Sequence, residues 1–186
     1  MLSHSSLFRV SADDIVQVFN QIFHPEYGTE LKGGAAEPFY QVLPDGSTII
    51  HFREDFTASA LHEVAHWCRA GKKRRLLDDY GYWYEGARDA LAQSRFEAVE
   101  VQPQALEWIF SMVLQISFRV SADNLQLIGY DSLPFRKNVR DAAEKFLSTG
   151  LPHRAEKFAV ALNTLVAKQE SWPKIRSRIC VAEVPE

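Results

Sequence analysis

The chain lacks the features that mark secreted and membrane-spanning proteins. Only two of its 186 residues are cysteines, Cys68 and Cys180, so a disulfide-stapled scaffold is excluded and reduced thiols in a cytosol are expected. There is no run of 18 apolar residues, and the N-terminus has no basic region followed by an apolar run, so neither a membrane span nor a signal peptide is indicated. We therefore expect a cytoplasmic protein that has no membrane partner.

A strong excess of charge is also missing. The formal net charge is −3, from 21 Lys and Arg against 24 Asp and Glu, which excludes a globally basic protein that binds nucleic acid directly. Aromatic residues are plentiful at 12% of the chain, and hydrophobic residues reach 46%, so a disordered chain is excluded as well. This length and composition predict one domain over residues 1–186 with a substantial core.

The motif with the most chemical information is His-Glu-Val-Ala-His at residues 62–66. The neighbouring Ala, Leu and Val residues predict a helix, on which His62 and His66 share one face with Cβ atoms about 5–6 Å apart. Two imidazoles at that separation can bind one metal ion. His-Glu-x-x-His is also the zincin signature, in which the Glu, here Glu63, acts as general base on metal-bound water.

A catalytic metal needs at least one more ligand than these two histidines. The other four histidines are terminal, in a strand or beside a proline, and are poor candidates: His4, His24, His51 and His153. Glu97 and Glu100 lie on the next predicted helix, and because they are three residues apart their spacing alone does not decide between them. Gln104, four residues after Glu100, is a possible hydrogen-bond partner for its carboxylate and favours Glu100.

The hydrophobic pattern predicts an α+β fold that is mainly helical with a small antiparallel sheet. The metal is expected between two central helices, as in zincins. Residues 24–38 are predicted to be a loop, and Pro103 is predicted to interrupt the second central helix near Gln102. The other predicted elements are a helix that begins at residues 11–14 with Ser11 as its cap, strands at 39–43 and 47–52, and helices at 88–101, 104–117, 136–147 and 154–168.

Two segments after the motif could contact a substrate. Four consecutive cations follow the first central helix: Lys72, Lys73, Arg74 and Arg75. They either complement the helix C-terminus and face solvent, or form a docking patch for an acidic partner. The aromatic segment at residues 79–84 either joins the core or lines a pocket mouth, with Tyr82, Trp83 and Tyr84 as its aromatic run.

Four blocks of sequence in this order, at residues 59–68, 70–75, 79–84 and 93–108, closely resemble the bacterial elongation factor P hydroxylase family. The close match extends over residues 59–125. The resemblance implies a non-haem iron enzyme that hydroxylates the lysine of elongation factor P already carrying a β-lysyl group. One departure is Glu85-Gly86-Ala87, where the family usually has a Pro-Asp-Gly turn.

The resemblance also implies roles for particular residues. His62, His66 and a Glu of residues 96–100, with Glu100 favoured, would form a 2-His-1-carboxylate site for Fe(II), with zinc possible in isolated protein and dioxygen as co-substrate. Residues 82–84 would contact the cationic lysine side chain, and residues 72–75 would dock elongation factor P, an acidic protein in this family. Glu63 has no general-base duty in a hydroxylation, and its role is left open.

Two other functions remain as alternatives. In a cytosolic zinc metallopeptidase, His62, His66 and Glu100 would bind zinc and Glu63 would activate water. In a non-catalytic adaptor the metal would be structural, but structural zinc normally has four protein ligands. The four matching blocks favour the hydroxylase.

Overall fold

The described chain folds into helices around one small sheet. A computed structural model describes residues 10–79, 89–122, 131–166, 170–181 and 184–185. Its elements are α1 (Ala12–Tyr27), β1 (Thr29–Ala35), β2 (Phe39–Val42), β3 (Thr48–Arg53), α2 (Thr57–Arg69), a 3-10 turn (Arg74–Leu76), α3 (Ala90–Leu114), α4 (Leu133–Thr149), α5 (His153–Asn163) and α6 (Trp172–Arg176). The predicted α+β class, mainly helical with a small sheet, is confirmed.

Helix α1 begins at the predicted cap. The Asp14 amide donates to the Ser11 hydroxyl at 3.2 Å, and the Ser11 amide donates to the Asp14 carboxylate at 2.8 Å. This reciprocal capping box satisfies two of the backbone donors that a helix start leaves without partners. The helix ends at Gly28, which has a φ of 60°, in the left-handed conformation that glycine adopts without a Cβ penalty.

The sheet is mixed, so the predicted antiparallel pairing is confirmed for β2 with β3 and is wrong for β1 with β3. Strand β3 lies in the centre, with β2 antiparallel on one side and β1 parallel on the other. Strand β1 lies within residues 24–38, where a loop was predicted because of the glycines. Gly33 is needed there for close packing, since a Cβ on it would come within 2.7 Å of the Phe52 ring.

Helix α3 runs without interruption through Pro103, so the predicted break near Gln102 is wrong. An interior proline costs about 3 kcal/mol, but α3 packs against α2, α4 and α5, and its second half is almost entirely buried. Burial of that apolar surface outweighs the lost hydrogen bond. As a consequence, Glu100 and Glu107, which lie before and after Pro103, project from one continuous helix.

Helix α2 lies between β3 and α3 and is fixed at its C-terminal end. The Trp67 ring packs in an aromatic cluster with Phe19 and Phe23 of α1, at centroid distances of 5.2 and 4.9 Å. Arg154 of α5 donates to the carbonyls of Trp67, Cys68 and Ala70. These contacts hold the last turn of α2, which carries His66, against the core.

Within the part of the chain that the structure describes, no helix combines the length and the apolar character that crossing a membrane requires.

Candidate metal centre

Helices α2 and α3 bring two imidazoles and one carboxylate together. His62 Nε2 and His66 Nε2 are 3.0 Å apart, and each lies 3.3 Å from one oxygen of Glu100. One ligand atom from each of the three residues lies within 4.8 Å of the others. The two histidines come from adjacent turns of α2, and Glu100 faces them from the buried side of α3.

These distances fit a metal ion. For metal–ligand bonds of about 2.1 Å, adjacent ligand atoms are about 3.0 Å apart in an octahedral site and about 3.4 Å apart in a tetrahedral one. Glu100 is only 5% exposed, and its Oε2 atom is buried without a hydrogen-bond partner. A buried carboxylate oxygen is rarely left unpaired. The three residues therefore have the spacing that a bound cation requires and a buried oxygen that is free to be its ligand.

The carboxylates and the histidines of the site shift each other's pKa values. Burial lowers the pKa of His62, but the adjacent Glu100 and Glu107 carboxylates outweigh burial and hold that pKa well above its usual value. Burial raises the pKa of Glu100, but the His62 and His66 rings, each 3.3 Å away, outweigh burial and hold that pKa well below its usual value. Glu100 is therefore held as an anion, the form in which a carboxylate binds a metal cation.

Glu107 is a residue of the site that the sequence analysis did not identify. Its Oε2 atom lies 2.8 Å from His62 Nδ1, on the side of the ring away from Glu100. It lies seven residues after Glu100, so in an uninterrupted helix both point in nearly the same direction. The available signal was an acidic residue within an apolar helix, but the predicted break at Pro103 separated it from Glu100.

The remaining acidic candidates lie beside the three-residue cluster. Glu63 is half-buried on α2, and burial raises the pKa of its carboxyl. Glu97 is half-buried one turn before Glu100, and its carboxylate accepts a hydrogen bond from Gln93. Gln104 does not support Glu100 as predicted, because its side-chain amide bonds in both directions with the backbone of Ser121.

The basic segment at residues 72–75 divides into two pairs. Lys72 and Lys73 are exposed. Arg74 pairs with Asp79, and the Arg75 guanidinium lies over aromatic rings of the core, 5.2 Å from the Tyr27 centroid. Among the described residues, Lys72 and Lys73 make no such contacts, and their charges face solvent.

The predicted substrate-contact residues Tyr82, Trp83 and Tyr84, and the turn that follows them, lie outside the described residues.

Two comparisons with known proteins bear on this site. Residues 18–174 match the family model described as elongation factor P hydroxylase. The chain is also 45% identical over 155 residues to a Haemophilus influenzae protein named elongation factor P lysine hydroxylase, an alignment that covers 81% of this chain and 86% of that protein. Both matches span α2 and α3 and therefore include the three-residue cluster.

Proposed function

Since the chain belongs to the elongation factor P hydroxylase family, we propose that it is a metal-dependent oxygenase that hydroxylates the β-lysylated lysine of elongation factor P. The observation that carries this proposal is the cluster of His62, His66 and Glu100 within the part of the chain that matches the family. A protein with this substrate would work in the cytoplasm, where translation takes place.

His62, His66 and Glu100 would hold an iron(II) ion, and zinc could take the same site in isolated protein. When bound, iron at a site with two histidines and one carboxylate activates dioxygen for insertion of one oxygen atom into a C–H bond. The second oxygen atom leaves as water, so the overall reaction needs two electrons from a donor outside this chain. The role of the protein is to keep three ligands in place and leave the other metal positions free.

The exposure of the ligands indicates the side from which the substrate approaches. The His66 side chain is 38% exposed and that of His62 is 24% exposed, whereas the Glu100 side chain is 6% exposed. The metal site is therefore closed on the side of α3 and open toward the exposed face of α2. A long lysyl side chain would enter from that face. Tyr82, Trp83 and Tyr84, which lie outside the described residues, stay the predicted cation–π contacts.

Docking of the protein substrate would depend mainly on Lys72 and Lys73, which follow α2 directly. Their ammonium groups are exposed and suit an acidic surface on the partner. Arg74 and Arg75 were part of the same predicted patch, but their contacts with Asp79 and Tyr27 give them an intramolecular role. We keep Glu63 as a side chain of the site without assigning it a proton-transfer step.

The metallopeptidase alternative is not supported, because both comparisons lead to hydroxylases. Replacement of Glu63 separates the two functions. A peptidase would lose nearly all activity in Glu63→Gln, since that carboxylate would activate the water. A hydroxylase has no such requirement, and we expect Glu63→Gln to keep measurable hydroxylation.

The test of the proposed function is an intact-mass assay of β-lysylated elongation factor P. The substrate is incubated in air with Fe(II)-loaded protein and a reductant, beside zinc-loaded protein and the His62→Ala variant as controls. We expect the substrate to gain one oxygen atom only with iron and an intact His62. No mass gain with any reductant, or cleavage of the substrate by the zinc-loaded form, would contradict the proposal.

A further inference from the structure

The His62 ring lies between two carboxylates of the same helix. Its Nε2 atom is 3.3 Å from Glu100 and its Nδ1 atom is 2.8 Å from Glu107. Seven residues span two turns of α3, or about 10 Å along its axis, so one helix supplies a carboxylate to each edge of the ring. No comparable arrangement could arise if α3 were broken at Pro103.

The hydrogen bond from His62 to Glu107 determines which ring nitrogen can bind a metal. Nδ1 lies 2.8 Å from the Glu107 carboxylate, whose oxygen accepts the hydrogen bond, so the Nδ1–H of His62 is the donor. The lone pair of a neutral His62 is then on Nε2, which faces His66 and Glu100. A carboxylate on the far nitrogen also makes an imidazole a stronger metal ligand.

Within the part of the chain that the structure describes, the Glu107 carboxylate is paired with His62 alone. Glu107 is 7% exposed, and burying a carboxylate costs several kcal/mol unless it is paired. Among the described residues, His62 is the partner of its carboxylate; the neighbouring Ser111 hydroxyl bonds to the Glu107 backbone carbonyl instead. The cost of burying this acid is therefore offset at the metal site.

We infer that Glu107 is a positioning residue that fixes the orientation and proton position of His62 for metal binding through Nε2. The inference rests on the metal site proposed above and adds a fourth side chain to it. Glu107 itself does not join the ligand cluster, because its carboxylate lies on the opposite edge of the ring.

The test compares Glu107→Gln and Glu107→Leu with Glu97→Gln, a matched change on the same helix outside the cluster. Co²⁺ serves as the probe, and its dissociation constant is measured by visible absorption in competition with a chelator. We expect binding to weaken roughly tenfold in Glu107→Gln and up to about a hundredfold in Glu107→Leu, the range typical of groups that support a metal ligand. Glu97→Gln should bind Co²⁺ as the unchanged protein does.

Two further readouts separate positioning from a structural role. Thermal unfolding of the metal-free variants reports any loss of stability. In Zn²⁺-loaded protein, the His62 Nδ1 proton should exchange slowly with water and give a separate proton NMR signal. Glu107→Leu should abolish that signal, and Glu97→Gln should keep it. This signal depends on the hydrogen bond and not on overall stability.

The possible outcomes distinguish this inference from the proposed function. If both Glu107 variants bind Co²⁺ within about twofold of the unchanged protein, or if the slow Nδ1–H signal survives in Glu107→Leu, the inference is overturned and the metal site stands. If the unchanged protein itself binds no Co²⁺, the metal site and the inference fall together.

Discussion

At the scale of single residues, the metal site depends on a choice between two acidic side chains on α3. Glu97 and Glu100 are three residues apart, and both could face α2 as far as spacing is concerned. In the fold, Glu100 is buried against both histidines, whereas the Glu97 carboxylate accepts a hydrogen bond from Gln93. The two side chains are chemically identical, so replacing each in turn tests the arrangement directly.

We expect Glu100→Gln to lose most of its bound metal and Glu97→Gln to retain it. An amide has no charge to offset that of a divalent cation, and its oxygen is a weaker ligand than a carboxylate. Metal content per chain after Fe(II) loading and desalting, measured by elemental analysis, distinguishes the variants. Equal metal content in both variants, or loss in Glu97→Gln alone, would contradict the assignment of Glu100.

The sequence identified the three side chains that cluster in the fold, but not the side chain that hydrogen-bonds to one of them. His62 and His66 follow from the motif alone, because their spacing matches the helical repeat. Glu107 was missed, because the predicted break at Pro103 separated this acidic residue of an apolar helix from Glu100. Gln104 was predicted to support Glu100 and instead bonds to Ser121, because tertiary contacts override a local offset of four residues.

At the scale of elements, the sequence identified strong helices and missed the features determined by packing. The Ser11 cap of α1 follows from local chemistry and was predicted correctly. Strand β1 contains two glycines and was missed, since Gly33 is explained by tertiary contacts with the Phe52 ring and the Glu54 carbonyl. Pro103 was interpreted as a break because its cost is local, whereas the burial that outweighs this cost involves three other helices.

The α1 cap predicts a pH dependence of stability. Hydrogen bonds from Ser11 lower the pKa of Asp14, so its contribution is full above the pKa of the unfolded chain and is lost as the pH falls through the lowered pKa. At neutral pH, Asp14→Ala should reduce the free energy of unfolding by about 1 kcal/mol.

The difference between Asp14→Ala and the unchanged protein should shrink as the solution is acidified into the range where the cap carboxylate is protonated. Urea unfolding followed by circular dichroism at several pH values measures it. Asp13→Ala is the matched control, because the neighbouring Asp13 is also in the first turn of α1 but is not part of the capping box. A difference that is constant with pH would contradict the cap assignment.

The C-terminal end of α2 makes a second prediction at this scale. Arg154 donates to three carbonyls there, and its guanidinium lies 4.8 Å from the Trp67 ring centroid. We expect Arg154→Ala to destabilise the protein by about 2–3 kcal/mol, since several buried carbonyls lose a charged donor. Arg154→Lys should recover only part of this loss, because an ammonium group cannot reproduce the planar fork of donors.

Thermal unfolding of the two Arg154 variants gives this comparison. Arg140→Ala serves as the control, because Arg140 pairs with its neighbour Asp141 on the surface of α4. An exposed pair of that kind contributes about 0–1 kcal/mol. A loss in Arg154→Ala no greater than in Arg140→Ala would show that the α2 terminus does not depend on this contact.

At the scale of the whole molecule, the α+β class and the antiparallel pairing of β2 with β3 were predicted correctly, and the parallel pairing of β1 with β3 was not. A short pattern of alternating residues identifies a strand but does not determine its partner, so the parallel pairing of β1 with β3 could not be derived. That residues 1–186 form one domain stays a prediction. The placement of the three candidate ligands on α2 and α3 followed from the order of the motifs along the chain.

Docking of elongation factor P can be tested without disturbing the metal site. Replacing Lys72 and Lys73 together by Glu should reduce turnover of the protein substrate and raise its KM, because both side chains are exposed and would repel an acidic partner. Metal content should not change. Increasing salt should raise the KM for the protein substrate more in the unchanged protein than in the double variant. Unchanged turnover and salt dependence would remove these lysines from the docking surface.

The most direct test of the central claim follows the origin of the oxygen atom in the product. β-Lysylated elongation factor P is incubated with Fe(II)-loaded protein under ¹⁸O₂ in ordinary water, and the modified peptide is analysed by mass spectrometry, with Glu100→Gln as the control. We predict that one ¹⁸O atom enters the β-lysylated lysine and that Glu100→Gln incorporates none. Incorporation of oxygen from water, or full incorporation in Glu100→Gln, would contradict a metal-dependent oxygenase that acts through His62, His66 and Glu100.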